Sequence, residues 1–331
     1  MSNKLLTLHK VSIGFDNRKL LKKISFSIAK GEVVCVLGES GCGKTSLLNS
    51  IQGLLDITSG AIELEGVPVL GPSEVLVPGE DGIATVYQDF RLQEGLTIEN
   101  NLKHELIHLS VSRQQKLCNQ ALRDCQLFTI KNRFPREVSG GQRQKLALAK
   151  ALINEPGLIL LDEPFSNLDN ISKNSFKEVI QSLKEKGLSF LYVTHDVMDA
   201  VTFADRVLVI RNGKIEKNLL SKELFDEIDS VYLAQLLGLK NIVQGIRLNQ
   251  LFDFKLKPDL FYHIPFSAFQ FGEDGVAYSV IKSLNIGEVV QTRLTCCTEE
   301  LAKIEFTVET TSKIQGSKFS IDVELLKALQ S

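Results

Sequence analysis

The sequence predicts an α/β fold with a mostly parallel core sheet over residues 1–238, followed by a small all-β domain over residues 239–331. The first part contains short apolar runs with almost no charge, which are typical of strands covered on both faces, and amphipathic helical stretches between them. Beyond Lys240 the pattern changes to alternating apolar and polar residues punctuated by glycines, which indicates β structure. A length of 331 residues also favours two domains.

Four apolar runs of the first domain are predicted strands because they are short and rich in leucine or β-branched residues. They are residues 33–37, 158–162, 190–194 and 207–210. Helices are predicted where apolar residues recur every three or four positions. These stretches are residues 45–55, 174–186 and 220–238. In the second domain, the alternating segments 304–309 and 318–324 predict strands with partly exposed faces.

Charge and composition argue against several classes of protein. The chain has 38 basic and 40 acidic residues, a net charge of −2, which gives no support to nucleic-acid binding. No stretch approaches about 18 consecutive apolar residues, and the N-terminal sequence lacks the layout of a signal peptide. We therefore expect a chain that does not span a membrane and stays in the cytoplasm. The six cysteines form no C-x-x-C pair and are expected to be free thiols.

A glycine-rich segment follows the first apolar run. It reads GESGCGKTS and contains the pattern G-x-x-x-x-G-K-[ST] between a predicted strand and a predicted helix. Glycines let the backbone wrap closely, so that N–H groups converge on phosphate oxygens at a helix N-terminus. Lys44 would reach the β- and γ-phosphates, and the Thr45 hydroxyl would ligate Mg²⁺. The alternative is an ordinary glycine-rich turn. The predicted nucleotide-binding residues are Gly38, Glu39, Ser40, Gly41, Cys42, Gly43, Lys44, Thr45 and Ser46.

Two adjacent carboxylates follow the apolar run at 158–162, where the sequence reads LILLDEPF. An Asp at the tip of a buried strand, here Asp162, can hold Mg²⁺ beside a phosphate loop. The adjacent Glu163, when ionised, can accept the proton of an attacking water. A strand that simply ends in a polar turn is the alternative. The phosphate loop upstream favours the first interpretation.

The segment VSGGQRQKLALAKAL at 138–152 places Ser-Gly-Gly-Gln at the start of a predicted amphipathic helix. It resembles the signature motif of the ATP-binding cassette (ABC) ATPases, although most members have Leu where this chain has Val138. Other motifs follow the order of that family. Gln88 resembles the Q-loop glutamine, the segment SNLD at 166–169 resembles the D-loop, and His195 resembles the switch histidine.

The resemblance covers about residues 1–220 and implies a P-loop NTPase ABC cassette with an antiparallel β subdomain and a helical subdomain at about residues 89–155. It implies that ATP and Mg²⁺ are bound, and that Phe15 stacks on the adenine. Glu163, His195 and Gln88 are the implied catalytic residues, and Thr45, Gln88 and Asp162 are the implied Mg²⁺ ligands. The implied nucleotide contacts from a second copy are Ser139, Gly140, Gly141, Gln142 and Asp169. One chain has one phosphate loop and one signature, so a complete site requires a dimer.

A single cassette followed by a small β domain resembles the ATPase subunits of type I bacterial importers, which serve inorganic anions, ferric iron, polyamines or sugars. Residues 236–248 resemble the junction with a TOBE-type, OB-like β domain, which implies a regulatory or dimerising role for residues 239–331. The implied partners are integral-membrane permease subunits and, indirectly, a solute-binding protein, at the cytoplasmic face of the inner membrane. A single-cassette exporter, a lipoprotein-release ATPase and a nucleotide-gated module without transport are the alternatives.

One further pattern, at residues 104–108, does not indicate a metal site. Residues 104–108, HELIH, fit the H-E-x-x-H pattern, in which two histidines on one helix face can bind zinc. Because no third ligand is near, we interpret His104 and His108 as part of a solvated helix face. Cys296 and Cys297 also lack metal-ligand spacing, and on a strand their side chains would point to opposite faces.

Overall fold

A computed structural model describes residues 4–15, 18–252, 254–272, 276–286, 289–296, 304–310, 314 and 318–329. The chain divides into two compact units, residues 1–224 and 225–331. The limit at residue 238 that the sequence suggested lies inside the second unit. No helix in the described ranges is long and apolar enough to cross a membrane.

The first unit combines two sheets with α-helices. Its described strands are β1 (Lys4–Phe15), β2 (Arg18–Ala29), β3 (Val33–Leu37), β4 (Ser59–Leu64), β5 (Val67–Pro68), β6 (Ile83–Val86), β7 (Leu158–Asp162), β8 (Ser189–Thr194), β9 (Arg206–Arg211) and β10 (Lys214–Leu220). Its described α-helices are α1 (Lys44–Ile51), α2 (Ile98–Glu105), α3 (Val111–Asp124), α4 (Gly140–Leu152), α5 (Asn170–Glu185) and α6 (Val197–Phe203).

The core sheet has the strand order β10-β9-β3-β8-β7-β6. All neighbours are parallel except the hairpin of β9 and β10, so the prediction of a mostly parallel sheet is confirmed. The second sheet, β2-β1-β4-β5, is entirely antiparallel. Apolar side chains of both sheets pack with α1 into one core, and all five residues of β3 are buried. Buried parallel strands have no polar face, which explains their continuous apolar runs.

The four apolar runs are strands in the structure, each within a residue or two of its predicted limits. The helix predicted at 174–186 covers all but the first turn of a longer one, α5, whose apolar face is buried. The helix predicted at 45–55 ends earlier, at Ile51, because Gly53 adopts a φ of 75° that breaks the helical path. Residues 89–155 contain the helices α2, α3 and α4.

The helix predicted at 220–238 is wrong. Leu220 is the last residue of β10, and only α7 (Val231–Leu236) is an α-helix in this stretch. The Ser230 side chain accepts a hydrogen bond from Leu233 N at 3.2 Å, which starts α7 anew. Leu224 and Ile228, which set the apparent helical period, are nevertheless buried. Their spacing reflects burial rather than a continuous helix.

The second unit is mainly β structure, as predicted. After α7 it contains β11 (Ile242–Gln244), α8 (Gly245–Phe252), β12 (Phe261–His263), β13 (Phe269–Gly272), β14 (Val276–Ala277), β15 (Ser279–Ile286), β16 (Val289–Cys296), β17 (Ile304–Thr310), β18 (Lys318–Ile321) and β19 (Lys327–Leu329). The described strands form three-stranded sheets in the orders β11-β12-β19, β13-β18-β14 and β15-β16-β17.

Aromatic side chains build the core of this unit. The ring of Phe319 lies 5.4 Å from that of Phe269 and 5.6 Å from that of Phe306, between centroids. The predicted strand at 304–309 is β17, whereas the one at 318–324 is cut short at Ile321 by a 3-10 turn. The helix α8 was not predicted, and it makes the unit less purely β than expected.

Candidate functional site

A cleft of about 400 Å³ lies where β3, β7 and β8 end. The carboxyl ends of adjacent parallel strands meet at one edge of a sheet, and residues that follow them line the cleft. The described lining residues are Leu20, Ser40, Gly41, Gly43, Lys44, Thr45, Ser46, Gln88, Asp162, Glu163, Ser166 and His195. The fold therefore gathers most of the residues that the motifs singled out.

The phosphate loop turns from β3 into α1 through backbone that only glycine fits. Gly43 has a φ of 103°, and a Cβ there would lie 3.0 Å from side-chain atoms of Leu20 and Leu21. The turn brings Lys44 into the wall of the cleft with only 7 % of its surface exposed. Its Nζ donates to the carbonyls of Gly38 at 2.8 Å and Glu39 at 3.0 Å. The phosphate loop thus wraps around the ammonium group of Lys44.

Three predicted residues of the loop, Gly38, Glu39 and Cys42, are not among the described lining residues of the cleft. Gly38 and Glu39 contribute their backbone carbonyls, which accept from Lys44 Nζ. Cys42 packs against the apolar core, and burial raises the pKa of its thiol while the nearby Lys44 charge opposes that rise. Phe15 belongs to β1, but its side chain lies outside the described atoms, so adenine stacking by Phe15 stays a prediction.

Thr45 and Asp162 meet across the cleft. Thr45 Oγ1 donates to Asp162 Oδ2 at 3.0 Å, and its distance to Oδ1 is 3.3 Å. Burial raises the pKa of the Asp162 carboxyl; the Thr45 hydrogen bond and the Lys44 charge lower it, whereas the Glu163 charge adds to the rise. A hydroxyl and a carboxylate side by side are hard oxygen ligands of the kind Mg²⁺ prefers. The pair fits a magnesium ion.

Glu163 contacts His195 directly. His195 Nδ1 lies 3.0 Å from Glu163 Oε1, and Lys44 Nζ lies 4.0 Å from the same oxygen. The glutamate has a φ of 48°, a left-handed conformation that is uncommon outside glycine, and its N–H donates to Val193 O at 3.1 Å. This link between the ends of β7 and β8 holds the carboxylate at the mouth of the cleft. Strained backbone of this kind often marks functional positions.

Gln88 lines the cleft but does not contact Thr45 or Asp162 among the described hydrogen bonds. Its Nε2 donates to Ser166 Oγ at 3.4 Å, and Ser166 Oγ donates to Glu163 O at 3.0 Å. The sequence places Ser166 in the SNLD segment but does not predict this contact. Leu20 was missed altogether, because an apolar residue on a strand carries no signal of a binding role.

The signature residues do not line the cleft of their own chain. Ser139 is the N-cap of α4: its Oγ accepts from Gln142 N at 3.3 Å, and Gln142 Oε1 accepts from Ser139 N at 3.0 Å. This capping box satisfies two of the N–H groups at the start of the helix. The N–H groups of Gly140 and Gly141 have no hydrogen-bond partner among the described residues. Both groups lie at the positive end of α4, where Gly140 is exposed and Gly141 is buried.

The D-loop residue Asp169 is the N-cap of the next helix, α5. Its Oδ1 accepts from Ser172 N and its Oδ2 accepts from Ser172 Oγ, both at 2.9 Å, so that it caps α5. These hydrogen bonds from Ser172 lower the pKa of the Asp169 carboxyl. Gly141 packs directly against Ser172, which places the two capped helix starts side by side.

The histidines of the HELIH segment do not share a helix face. α2 ends at Glu105, so His108 lies beyond the helix, whereas His104 is still within its last turn. The expected helix face is therefore wrong for His108, although both side chains are exposed. His104 Nδ1 lies 3.1 Å from Gln93 Nε2. Cys296 is buried at the end of β16, and Cys297 lies outside the described residues.

Comparisons with known proteins point to one family. The family model described as ABC transporter matches residues 21–166. The iron importer subunit named Fe(3+) ions import ATP-binding protein FbpC, from Pasteurella multocida, is 36% identical over 247 residues, which is 74% of this chain and 70% of that protein. The spermidine/putrescine import ATP-binding protein PotA of Bacillus cereus is 33% identical over 245 residues, 73% of this chain and 74% of that one.

Solved structures agree. The ATP-binding cassette MJ0796, described as a dimeric post-hydrolysis state bound to ADP and Pi, matches with a TM-score of 0.57 and 29% identity over 66% of this chain and 99% of that chain. CbiO1 from Clostridium perfringens, part of the ABC transporter complex cbiONQ, matches with a TM-score of 0.63 over 68% of this chain and 92% of that chain. At 24% identity this second likeness concerns the fold alone.

The resemblance of the motifs to importer-type ABC ATPases and the expected fold class are thereby confirmed. The chain belongs to the ATP-binding subunits of ABC transporters, which are ATPases.

Proposed function

We propose that the chain hydrolyses ATP to drive the import of a solute through a separate permease at the cytoplasmic face of the inner membrane. The observation that carries the proposal is the convergence of Lys44, Thr45, Asp162, Glu163 and His195 on one cleft. The relatives named above are import ATP-binding proteins for Fe(3+) ions and for spermidine and putrescine, which supports import. In this proposal the permease and a solute-binding protein select the solute, so no residue of this chain touches it.

The phosphates of ATP would lie along the loop between β3 and α1. Backbone N–H groups of that loop and the N-terminus of α1 favour anions, and Lys44 would exchange its two carbonyl partners for phosphate oxygens. Thr45 and Asp162 would hold Mg²⁺, with Gln88 approaching after it leaves Ser166. The ion, when bound, neutralises charge on the phosphates.

Glu163 would act as the general base. An ionised carboxylate at the mouth of the cleft can accept the proton of a water that attacks the γ-phosphate. His195 lies 3.0 Å from that carboxylate and, with a proton on Nδ1, donates to it and orients it. When the ring carries a second proton on Nε2, that nitrogen can donate to a phosphate oxygen at the same time. The left-handed backbone of Glu163 and its hydrogen bond to Val193 fix the base before substrate arrives.

A second copy would complete the site. The start of α4 lies outside the cleft of its own chain, with Ser139 and Gly140 exposed and Gly141 buried. The N–H groups of the two glycines, which have no partner among the described hydrogen bonds, would suit a γ-phosphate. A second chain placed with its signature over the phosphate loop would supply these donors and the Ser139 hydroxyl. The dimeric state of the MJ0796 cassette supports this arrangement. A regulatory or dimerising role for the C-terminal unit stays a prediction.

A substitution of Glu163 tests the proposed role of this residue as the general base. Glu163→Gln keeps the shape of the side chain but cannot take the proton, so hydrolysis by the full-length chain should fall about 10²–10⁴-fold while ATP binding is kept. ATP should then hold this variant as a stable dimer, because the nucleotide at the interface is not consumed. Turnover of ATP and sedimentation with ATP are the measurements.

Glu185→Gln, an exposed change on α5, is the matched control and should hydrolyse ATP like the wild type. Hydrolysis by Glu163→Gln within about threefold of the wild type would contradict the assignment of the base. A variant that loses hydrolysis but stays monomeric with ATP would contradict the shared site.

A further inference from the structure

A second cavity, of about 330 Å³, lies in the first unit. It is lined by the last turn of α1, the segment that follows this helix, the start of β4 and the turn at residues 71–74. In the part of the chain that the structure describes, no residue lines both this cavity and the nucleotide cleft. The two places share only α1, which has eight residues and is therefore about 12 Å long.

Two carboxylates converge on the turn at residues 71–74. Asp56 Oδ1 accepts hydrogen bonds from Ser73 N at 3.1 Å and from Ser73 Oγ at 2.8 Å, and Glu74 Oε2 accepts one from Gly71 N at 3.3 Å. A Cβ at Gly71 would overlap Asp56 Oδ1, so glycine lets this carboxylate approach the turn. Neither carboxylate pairs with a lysine or an arginine among the described residues. Two negative charges therefore meet at one turn without a cation.

A buried hydroxyl belongs to the same cavity. Ser50, in the last turn of α1, lines the cavity although it is only 2% exposed. Its Oγ has no hydrogen-bond partner in the described part of the chain. An unpartnered buried hydroxyl costs free energy and is rare in native structures, which points to a partner outside the chain. The last turn of α1 contains no basic residue, so nothing there offsets the partial negative charge of the helix end.

The rest of the wall limits the kind of cation that fits. Four of the lining side chains are aliphatic: Leu55, Ile57, Ile62 and Val69. A volume of about 330 Å³ suits a small organic molecule and is far larger than a single metal ion needs. Within the described ranges, no group of three or more His, Cys, Asp or Glu side chains could hold a metal ion. A cationic group attached to an aliphatic chain matches both parts of this wall.

We infer that this cavity binds a small aliphatic amine in its ammonium form. The ammonium group donates hydrogen bonds to the carboxylates of Asp56 and Glu74 and to Ser50 Oγ, while the alkyl chain packs against the aliphatic wall. An ammonium group has several donors and no acceptor, so it suits a site made of acceptors. Asp56 and Glu74 are both exposed, which lets the amine enter from solvent. The inference goes beyond the proposed function and does not depend on it.

Butylammonium chloride is the probe, titrated into the full-length chain at neutral pH in a calorimeter. We expect saturable binding with a Kd of about 1 mM, a value that the limit on binding free energy per atom allows for so small a ligand. Butan-1-ol has the same alkyl chain without the charge. It should bind at least about tenfold more weakly, because the charge-assisted hydrogen bonds are lost.

Amide variants test the two carboxylates. Asp56→Asn and Glu74→Gln each keep an oxygen that can accept from the turn but remove one negative charge. Each should weaken butylammonium binding about tenfold or more. Glu185→Gln, which removes an exposed carboxylate of α5, is the matched control and should bind butylammonium like the wild type.

Ser50→Ala tests the buried hydroxyl. It should weaken butylammonium binding, and without ligand it should unfold at the same temperature as the wild type or a higher one, because an unpartnered buried hydroxyl is removed. A serine that only fills space would leave the affinity unchanged. Wild-type affinity in Ser50→Ala, or in both carboxylate variants, would overturn the proposal.

Three further results would also overturn it. Equal binding of butan-1-ol would show an apolar pocket without a cation site, displacement of butylammonium by stoichiometric Ca²⁺ would show a metal site, and no binding to the folded wild-type chain would reject the cavity as a site. Lys44→Ala separates this inference from the proposed function, because it should lose ATP binding and keep butylammonium binding. A chain that hydrolyses ATP without binding butylammonium rejects the amine site alone.

Discussion

Two neighbouring carboxylates at the end of β7 are held in different ways. Asp162 is the last residue of the strand, and burial raises its pKa. Glu163 follows in left-handed backbone and contacts the exposed His195. Asp162 accepts a hydrogen bond from the neutral Thr45 hydroxyl, which does not outweigh its burial, whereas Glu163 lies beside the His195 ring and the Lys44 ammonium group. Adjacent residues of similar chemistry can thus be prepared for different tasks by burial and backbone conformation alone.

Asp162→Asn should make the chain more stable and a poorer ligand for the metal. The raised pKa means that the folded chain holds the Asp162 proton up to a higher pH than the unfolded chain does. Ionisation of Asp162 therefore destabilises the folded state above that pKa, and the penalty disappears as the pH falls through it. At neutral pH without nucleotide or metal, the asparagine variant should unfold at a higher temperature than the wild type, and its Mg²⁺-dependent ATP affinity should fall.

The advantage of the variant should shrink as the pH is lowered, because the wild-type carboxyl then becomes neutral as well. Thermal unfolding at a series of pH values measures this difference. Asp259→Asn, at an exposed position, is the control and should leave the unfolding temperature almost unchanged at every pH. A wild-type chain as stable as Asp162→Asn at neutral pH would show that burial does not strain this carboxylate.

At the scale of elements, the starts of α4 and α5 depend on each other. Asp169 caps α5 through Ser172, and Ser172 in turn packs against Gly141 in the first turn of α4. A Cβ at Gly141 would lie 2.8 Å from Ser172 Cβ, closer than two carbon atoms can pack. Glycine is required there by the neighbouring helix and not by its own backbone.

Gly141→Ala should therefore destabilise the chain by about 1–3 kcal/mol, as overpacked positions do, although alanine is normally the better helix former. Gly140→Ala is the matched control, because a Cβ there meets only Leu168 Cδ2, at an ordinary 3.9 Å. That variant should be neutral or slightly more stable. Denaturant unfolding compares the two, and Gly141→Ala combined with Ser172→Gly should recover most of the loss. Equal stability of the two alanine variants would refute the packing argument.

The strands and the cleft could be predicted from the sequence because continuous apolar runs and ordered motifs report directly on buried sheets and phosphate chemistry. The segment 220–238 could not, since its apolar period records which side chains are buried and not whether the backbone between them is continuous. The contact between Gln88 and Ser166 was also out of reach. Ser166 lies in the SNLD segment, but the motif does not indicate a hydrogen bond to a residue 78 positions earlier in the chain.

On the scale of the whole molecule, each unit has a separate apolar core. One core lies among the two sheets and α1 of the first unit, and the other surrounds Phe319 in the second. The nucleotide cleft belongs entirely to residues 1–224. Two cores in one chain allow two unfolding events, of which only one involves the ligand site.

Calorimetry of the full-length chain should show two transitions, and ATP should move only one of them. At a free nucleotide concentration of 100 times Kd, the unit that binds it gains about 2.7 kcal/mol of stability. Lys44→Ala should abolish this shift, because the variant lacks the ammonium group that would contact the phosphates. The temperature of the other transition should not change. One transition that moves as a whole with ATP would instead indicate that the units unfold together.

The capping box at Ser139 has a consequence for the timing of a catalytic cycle. The backbone around Gly140 and Gly141 is already fixed by Ser139 and Gln142, so the donors need no folding step when a partner approaches. Binding of an anion at the N-terminus of α4 would then cost little conformational entropy of the chain. In the proposed dimer, the time between turnovers would therefore be set by the motions that bring two chains together and release the spent nucleotide, and not by folding of the signature segment.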